Sequence, residues 1–458
     1  MRPPAALRVA LALAASAAPA SAGTPALTPA EAGAVGQQAY LDGFPLLEFM
    51  RVRATATSVR CPDAKGNAPV NSLSNARRFA TPASRTVVAP NVDTLYSIAH
   101  LDLGRGPVVL SHPDMRGRYF SFQLLDPYTN TIGYVGTRTT GAKAGRFAIT
   151  WSGHRGRRVP GARVVRSKHR RLWLIGRTLA AGPADRRRAV RLMDRYSLAP
   201  PGGPRRFAAG CIPGRPKQAA TPTGAAVLRE LARQRRRNPP PARDRAVVRR
   251  IRSASGLSGA AHDALVASVE SIGRLLPTIA KTTIANQAAA NRGWAIPQRN
   301  IGSYGTDYTF RAGVAALGLG ANTREEAIYP TAYGDSTGAP LEGGSSYRLV
   351  FPKDPPNRAF WSLTLYDGDG YLVPNPQRRY AIGDSHPPLH RKADGSVVVV
   401  LQRTRPTEPR VNWLPTPQGP FRLNLRIYRP RASVLSGAWQ PPPVDIVSNA
   451  ARHNAQIR

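Results

Sequence analysis

The chain has 458 residues, with 65 Lys and Arg against 26 Asp and Glu, a formal net charge of +39. A hydrophobic fraction of 42% excludes a wholly disordered polymer, and the length allows about two or three domains. No run of about 20 apolar residues lies beyond the N-terminus, which excludes a multi-span membrane protein. The 41 Gly and 44 Pro favour a turn-rich fold of short strands over a helical bundle.

The first residues read as an export signal. Arg2 and Arg8 flank a short apolar run from Val9 to Ala15, which continues through small residues to Ala20-Ser21-Ala22. This is the charged, apolar and A-x-A pattern of a secretory leader, too short to span a bilayer. The expectation is a signal peptide over 1–22 and a secreted or cell-envelope protein without a transmembrane anchor. Export gives meaning to Cys61 and Cys211. In an oxidising compartment they are a candidate disulfide, and the alternative is a pair of small buried residues.

Thr28-Pro29-Ala30-Glu31 has the form of a capping box with Pro at the first helical position. Val35, Tyr40, Phe44, Leu47 and Met50 continue it as a helical stripe, with Pro45 expected to kink or break it. From Arg85 the texture turns to short β-prone runs: 86–88, 107–111, 119–125, 147–151 and 172–175. Asp185 to Tyr196 reads as a basic helix, 200–223 as an exposed loop, and 235–241 as a break between two further helices. Ser258 to Ala290 is helical in pattern, with Pro277 expected to kink or split it. Strand texture returns at Ala327, most clearly at 347–351, 360–366, 397–401 and 421–428. The fold class expected is α+β: two β-rich, sandwich or jelly-roll-like domains with a helical, Arg-rich middle. The boundaries expected are 23–199, 200–322 and 323–458.

Of the 65 basic residues 58 are Arg, and 155–252 alone holds +24 of the net charge. Such a block attracts an anionic polymer or membrane surface. The competing account is a solvated face produced by biased composition. No signature of specific nucleic-acid recognition accompanies it.

Several ordered strings carry a family likeness. Pro90-Asn91-Val92-Asp93-Thr94-Leu95-Tyr96, Gly117-Arg118-Tyr119, Leu124 to Asn130 and Gly136 to Gly141 resemble the bacterial domain of unknown function numbered 1254. Phe360 to Asp367, Asn375-Pro376, Asp394-Gly395-Ser396 and Asn412-Trp413-Leu414-Pro415 resemble its usual partner, the one numbered 1214. The likeness covers roughly 40–195 and 325–443. It implies a two-domain, β-rich secreted protein and no established activity. The Arg-rich middle inherits nothing from it.

No motif commits the chain to catalysis: there is no phosphate loop, nucleophile elbow or H-E-x-x-H. His386 and His390 are separated by Pro387-Pro388, which forbids the helix that aligns two ligands, so no metal or other cofactor is expected. The candidate ligand-binding residues are polar and aromatic. Asn91 fits a turn; Asp93 with Tyr96 and Arg118 forms a pocket if strand ends converge; Asp126 and Arg138 form an ion pair there or stabilise a loop. Trp361 and Tyr366 are five apart on one strand and face opposite sides, one core and one surface or site. Asp367 begins an Asp-Gly turn rather than a calcium loop. Asn412 and Trp413 offer an amide and an indole to a sugar, or close a buried strand end.

The function expected is an exported protein that binds a glycan or other small polar ligand in a cleft between the β-rich domains, with a homo-oligomer an open option. One alternative is a hydrolase or lyase using two carboxylates, such as Asp93 with Asp126 or Asp367. The other is a structural assembly platform.

Overall fold

The structure, a computed structural model, describes residues 27–85, 87–154 and 158–448. The leader expected over 1–22 lies outside the described residues, as does Thr86. The chain opens with helix α1, Pro29–Ala56. Thr28 caps it, its hydroxyl accepting from the Glu31 N–H while the Glu31 carboxylate accepts from the Thr28 N–H. The helix runs through Pro45 without a break. Helix-to-helix burial offsets the hydrogen bond that proline removes.

Strands β1 (Ser74–Asn75), β2 (Thr94–Asp102), β3 (Val108–His112), β4 (Phe120–Leu125), β5 (Thr131–Gly136), β6 (Gly145–Trp151), β7 (Arg163–Ser167) and β8 (Arg171–Leu179) follow. Helix α2 (Gly182–Met193) and strand β9 (Ser197–Ala199) complete the first β-rich domain. Its two sheets have the orders β1-β2-β8-β4-β5 and β7-β6-β3-β9. Leu95, Phe122 and Leu174 of one sheet pack on Leu110, Phe147 and Ile149 of the other. Residues 87 and 88 form no strand and stay exposed, contrary to the β-prone reading of 86–88. The backbone there leaves the sheet to reach the second domain.

The middle holds α3 (Ala225–Arg237), α4 (Arg245–Ala254), α5 (Gly259–Ala290) and α6 (Tyr308–Leu317). Helix α5 also continues through its proline, Pro277. These helices pack on α1: Tyr40 and Leu47 share a core with Val227, Leu231, Val269, Ile272 and Ala312. At Gly36 a Cβ would stand 2.3 Å from the Leu265 carbonyl oxygen, so the α1–α5 approach requires glycine. The stretch 200–223 contains no regular element. Cys61 and Cys211 are joined by a disulfide that ties it to the end of α1.

The second β-rich domain contains β10 (Trp294–Ala295), β11 (Ala327–Ile328), β12 (Thr331–Ala332), β13 (Ser346–Phe351), β14 (Asn357–Asp367), β15 (Ala381–Gly383), β16 (Val397–Gln402), β17 (Asn412–Pro415), β18 (Phe421–Pro430), the short helix α7 (Ala432–Ser436) and β19 (Val444–Ser448). One sheet has the order β10-β12-β18-β14-β15, with β11 also on β18, and the other β17-β16-β13-β19. Trp361, Leu363, Leu423, Leu425 and Ile427 meet Leu349, Phe351, Val397 and Val399 between them. The fold is thus α+β, with two β-rich domains and a helical middle. Among the described residues, no helix is long and apolar enough to cross a membrane.

Candidate functional site

Alternation along a strand sends successive side chains to opposite faces. On β14 and β18 one face supplies the core, and the other carries Ser362, Thr364, Tyr366, Asn424, Arg426 and Tyr428. That second face is not left to water. Ser362, Thr364, Tyr366, Arg426 and Tyr428 are all buried, because the first domain's segment 89–93 lies across them.

The segment is held by its own turn and by the partner sheet. Asn91 Oδ1 accepts from the N–H groups of Asp93 (2.6 Å) and Thr94 (3.1 Å), the turn that Asn after Pro commonly closes. Its Nδ2 donates to the Tyr428 hydroxyl at 2.6 Å. The Tyr366 hydroxyl donates to the Pro90 carbonyl at 2.7 Å. Arg426 donates to the Ala89 carbonyl (3.0 Å), the Thr364 hydroxyl (2.8 Å) and the Tyr366 oxygen (2.6 Å).

Asp93 sits at the centre and has no exposed surface. Ser362 donates to Oδ2 at 2.8 Å and Ser385 to Oδ1 at 3.0 Å, and His386 Nε2 lies 2.7 Å from Oδ1. Burial pushes the carboxyl up, but the His386 hydrogen bond, the Arg426 charge and Ser362 together hold it below its ordinary value. An ionised carboxylate only accepts, so His386 carries its proton on Nε2. His386 remains 18% exposed at its side chain, which makes it a surface-reaching imidazole oriented by a buried acid.

A second polar group adjoins this centre. Tyr119 donates to Glu326 at 2.7 Å, and Arg138 pairs with the same carboxylate at 2.6 Å. Asn322 donates to the Tyr329 hydroxyl (2.8 Å), which donates to that of Tyr428 (3.1 Å). Arg177 of β8 donates to Gln123, Asn322 and the Gly320 carbonyl, and its guanidinium lies over the Tyr96 ring at 5.6 Å. Tyr96 and Tyr329 are only half-buried. Burial raises the Tyr329 phenol above its ordinary value, and both rings keep part of their surface accessible where the two domains meet.

The structure brings Asn91, Asp93, Tyr96, Tyr366 and Arg138 to this seam and separates the rest. Arg118 does not join Asp93; it pairs with Asp185 of α2 and donates to the Leu179 carbonyl. Asp126 and Arg138 form no pair, because Arg138 reaches Glu326 while Asp126 accepts from Tyr128 and Asn130 and faces His169 at 3.8 Å. Trp361 and Tyr366 do take opposite faces, but both are fully buried. Asp367 accepts from the Tyr371 N–H and closes a turn with Gly370. Asn412 is bonded to His390 and Val398, and the Trp413 indole donates to the Gln402 carbonyl, so both close a buried strand end. Asp93, Asp126 and Asp367 share no partner. Among the described residues, no group of three or more His, Cys, Asp and Glu is placed to hold a metal ion.

Sequence reasoning missed Arg177, Glu326, Tyr329, Ser362, Ser385, His386, Arg426 and Tyr428. A signal existed in β14 and β18. Their polar face reads as solvent-facing, yet it carries tyrosines and few charges, a composition suited to a covered surface.

Residues 70–200 match the family described as a protein of unknown function (DUF1254). Residues 326–432 match the one described as a protein of unknown function (DUF1214). The chain carries both domains, in that order. The seam joins them, since Asp93 and Tyr96 lie in the DUF1254 match and Ser362, His386 and Arg426 in the DUF1214 match. Comparison with curated proteins finds no match. Among solved structures, the VPA0106 protein from Vibrio parahaemolyticus is 24% identical with a TM-score of 0.67, covering 91% of this chain and 100% of that one. That likeness shows a shared fold. An uncharacterized protein from Burkholderia cenocepacia is 14% identical, covering 92% of this chain and 95% of that one, with a TM-score of 0.42.

Proposed function

We propose that the protein is exported and binds a small polar ligand, a glycan or another polar molecule, in a recess between its DUF1254 and DUF1214 domains. The observation that carries this reading is that Tyr96 and Tyr329, one from each side of the seam, are only half-buried beside the buried Arg177, whose Nε–H has no acceptor. Tyrosines with one flat apolar face and one hydroxyl suit such a ligand. Export is supported by the leader-like first residues and by the Cys61–Cys211 disulfide, a bond at home in oxidising compartments. Calorimetric titration with envelope oligosaccharides and small polar metabolites tests the binding. A bound ligand whose affinity falls at least tenfold in Tyr329→Phe and Tyr96→Ala supports the reading. A panel with no binder, or one indifferent to both changes, ends it.

A second reading rests on the His386–Asp93 contact. In place of two carboxylates, an exported hydrolase or lyase would use His386 as the base and Asp93 to orient it. Turnover of an ester or glycoside panel that is abolished in His386→Ala would favour it over binding alone.

A further inference from the structure

We propose that the ligand of the interdomain recess is a small organic anion with a single carboxylate, received by the guanidinium of Arg177. This rests on the binding reading above and names its ligand class. Arg177 stands opposite Tyr96 of β2 and Ser121 of β4, and only 5% of it is exposed. Its Nη1 donates to Gln123 Oε1 (3.0 Å) and Asn322 Oδ1 (3.1 Å), and its Nη2 to the Gly320 carbonyl (3.0 Å). Every one of these acceptors is neutral. The buried Nε–H has no acceptor. Guanidinium has five N–H donors, so Nε and one Nη2 hydrogen are left, on the two nitrogens that receive a carboxylate side-on.

The charge around Arg177 is unbalanced. The phenols of Tyr96, Tyr329, Tyr428 and Tyr134 surround it, and phenols are neutral at pH 7. Arg426, also buried, donates only to neutral groups and lies 5.7 Å from the Tyr329 ring. The nearby acids are engaged elsewhere: Asp93 with His386 and beside Asp384, and Glu326 with Arg138. Among the described residues no carboxylate pairs with the Arg177 guanidinium, which meets only neutral acceptors. An unpaired buried charge is costly, and a bound carboxylate removes that cost. One unpaired guanidinium with a free planar donor edge selects a single carboxylate. The Tyr96 and Tyr329 rings supply flat walls for an aromatic or aliphatic body.

The test is calorimetric titration of the purified protein with acetate, benzoate and 4-hydroxybenzoate, and with the corresponding amides. At least one carboxylate is expected to bind, at least tenfold more tightly than its amide. Arg177→Gln is expected to lower that affinity at least tenfold, and Tyr96→Ala, which removes one wall, to lower it as well. If Arg177→Gln fails to fold, the acid-to-amide ratio of the native protein and the Tyr96→Ala variant decide. Amides that bind as well as acids overturn the inference, as does carboxylate binding that neither substitution weakens. Neutral oligosaccharides that bind while all carboxylates fail overturn it and leave the interdomain binding reading intact. Failure of both sets overturns both.

Discussion

His386 and Asp93 are 293 positions apart in the chain, yet His386 Nε2 lies 2.7 Å from the Asp93 carboxylate across the domain seam. The contact joins the DUF1214 domain to a loop of the DUF1254 domain, with Ser362, Ser385 and Arg426 completing the shell. Removing one member of such a shell leaves the others desolvated without their partner.

Asp93→Asn should therefore lower stability by about 3 kcal/mol at pH 7. The native carboxyl titrates below its unfolded value of about 3.9. Its contribution is thus present above about pH 4 and is lost as pH falls through the native value. The variant should have a flatter acid limb. Urea unfolding at pH 7 and pH 3.5 measures both effects, and equal midpoints for the two proteins at pH 7 would contradict the assignment.

His100 acts in the same direction but in a higher pH window. It is buried, stacks on Trp173 at 5.5 Å, meets Phe49 edge-on, and has no hydrogen-bond partner on either ring nitrogen. Burial, with the Arg53 charge adding to it, lowers its pKa to about 3. The unfolded chain accepts a proton near pH 6.5 and the native chain does not, so stability falls as pH drops below 6.5. The part due to His100 is about 2 kcal/mol at pH 5. His100→Gln should lose that part of the difference between pH 7 and pH 5, whatever its absolute stability. Denaturant midpoints at the two pH values read it directly.

The arginines of α3 divide by what they touch. Arg235 reaches inward to the fully buried Asp42, which also accepts from Arg311 at 2.9 Å, whereas Arg236 and Arg237 are exposed. Arg235→Gln should cost about 3 kcal/mol, and Arg236→Gln with Arg237→Gln less than about 0.5 kcal/mol each. We further propose that the exposed arginines carry the attraction for anionic surfaces. The double variant should then elute from an anionic matrix at lower salt than the native protein. Identical elution would leave these charges as a solvated face.

The Cys61–Cys211 bond closes a loop 150 residues in sequence separation, and chain entropy puts its contribution at about 5 kcal/mol at most. Reduction should first release 200–223, which has no regular structure of its own. Trypsin should then cut after Arg205, Arg206 or Lys217 before either β-rich domain is lost. Cleavage that begins within the sheets would show that the bond holds the domains rather than the loop.

What the sequence determined was local. The Thr28–Glu31 capping box set the start of α1, and alternating apolar residues placed β14, β16 and β18, because caps and strand faces depend on neighbours a few residues away. The ordered strings around Asp93 and Trp361 likewise identified the two domains. Burial against other elements decided the exceptions. It carried α1 through Pro45 and α5 through Pro277, and it turned Arg235 into an internal ion pair within a block of surface arginines. Proximity decided the site. Asp93, Arg177, His386 and Arg426 lie on segments that only domain docking brings together. A polar strand face reads the same whether water or a second sheet covers it, since alternation records which face is apolar and carries no information on what meets the other.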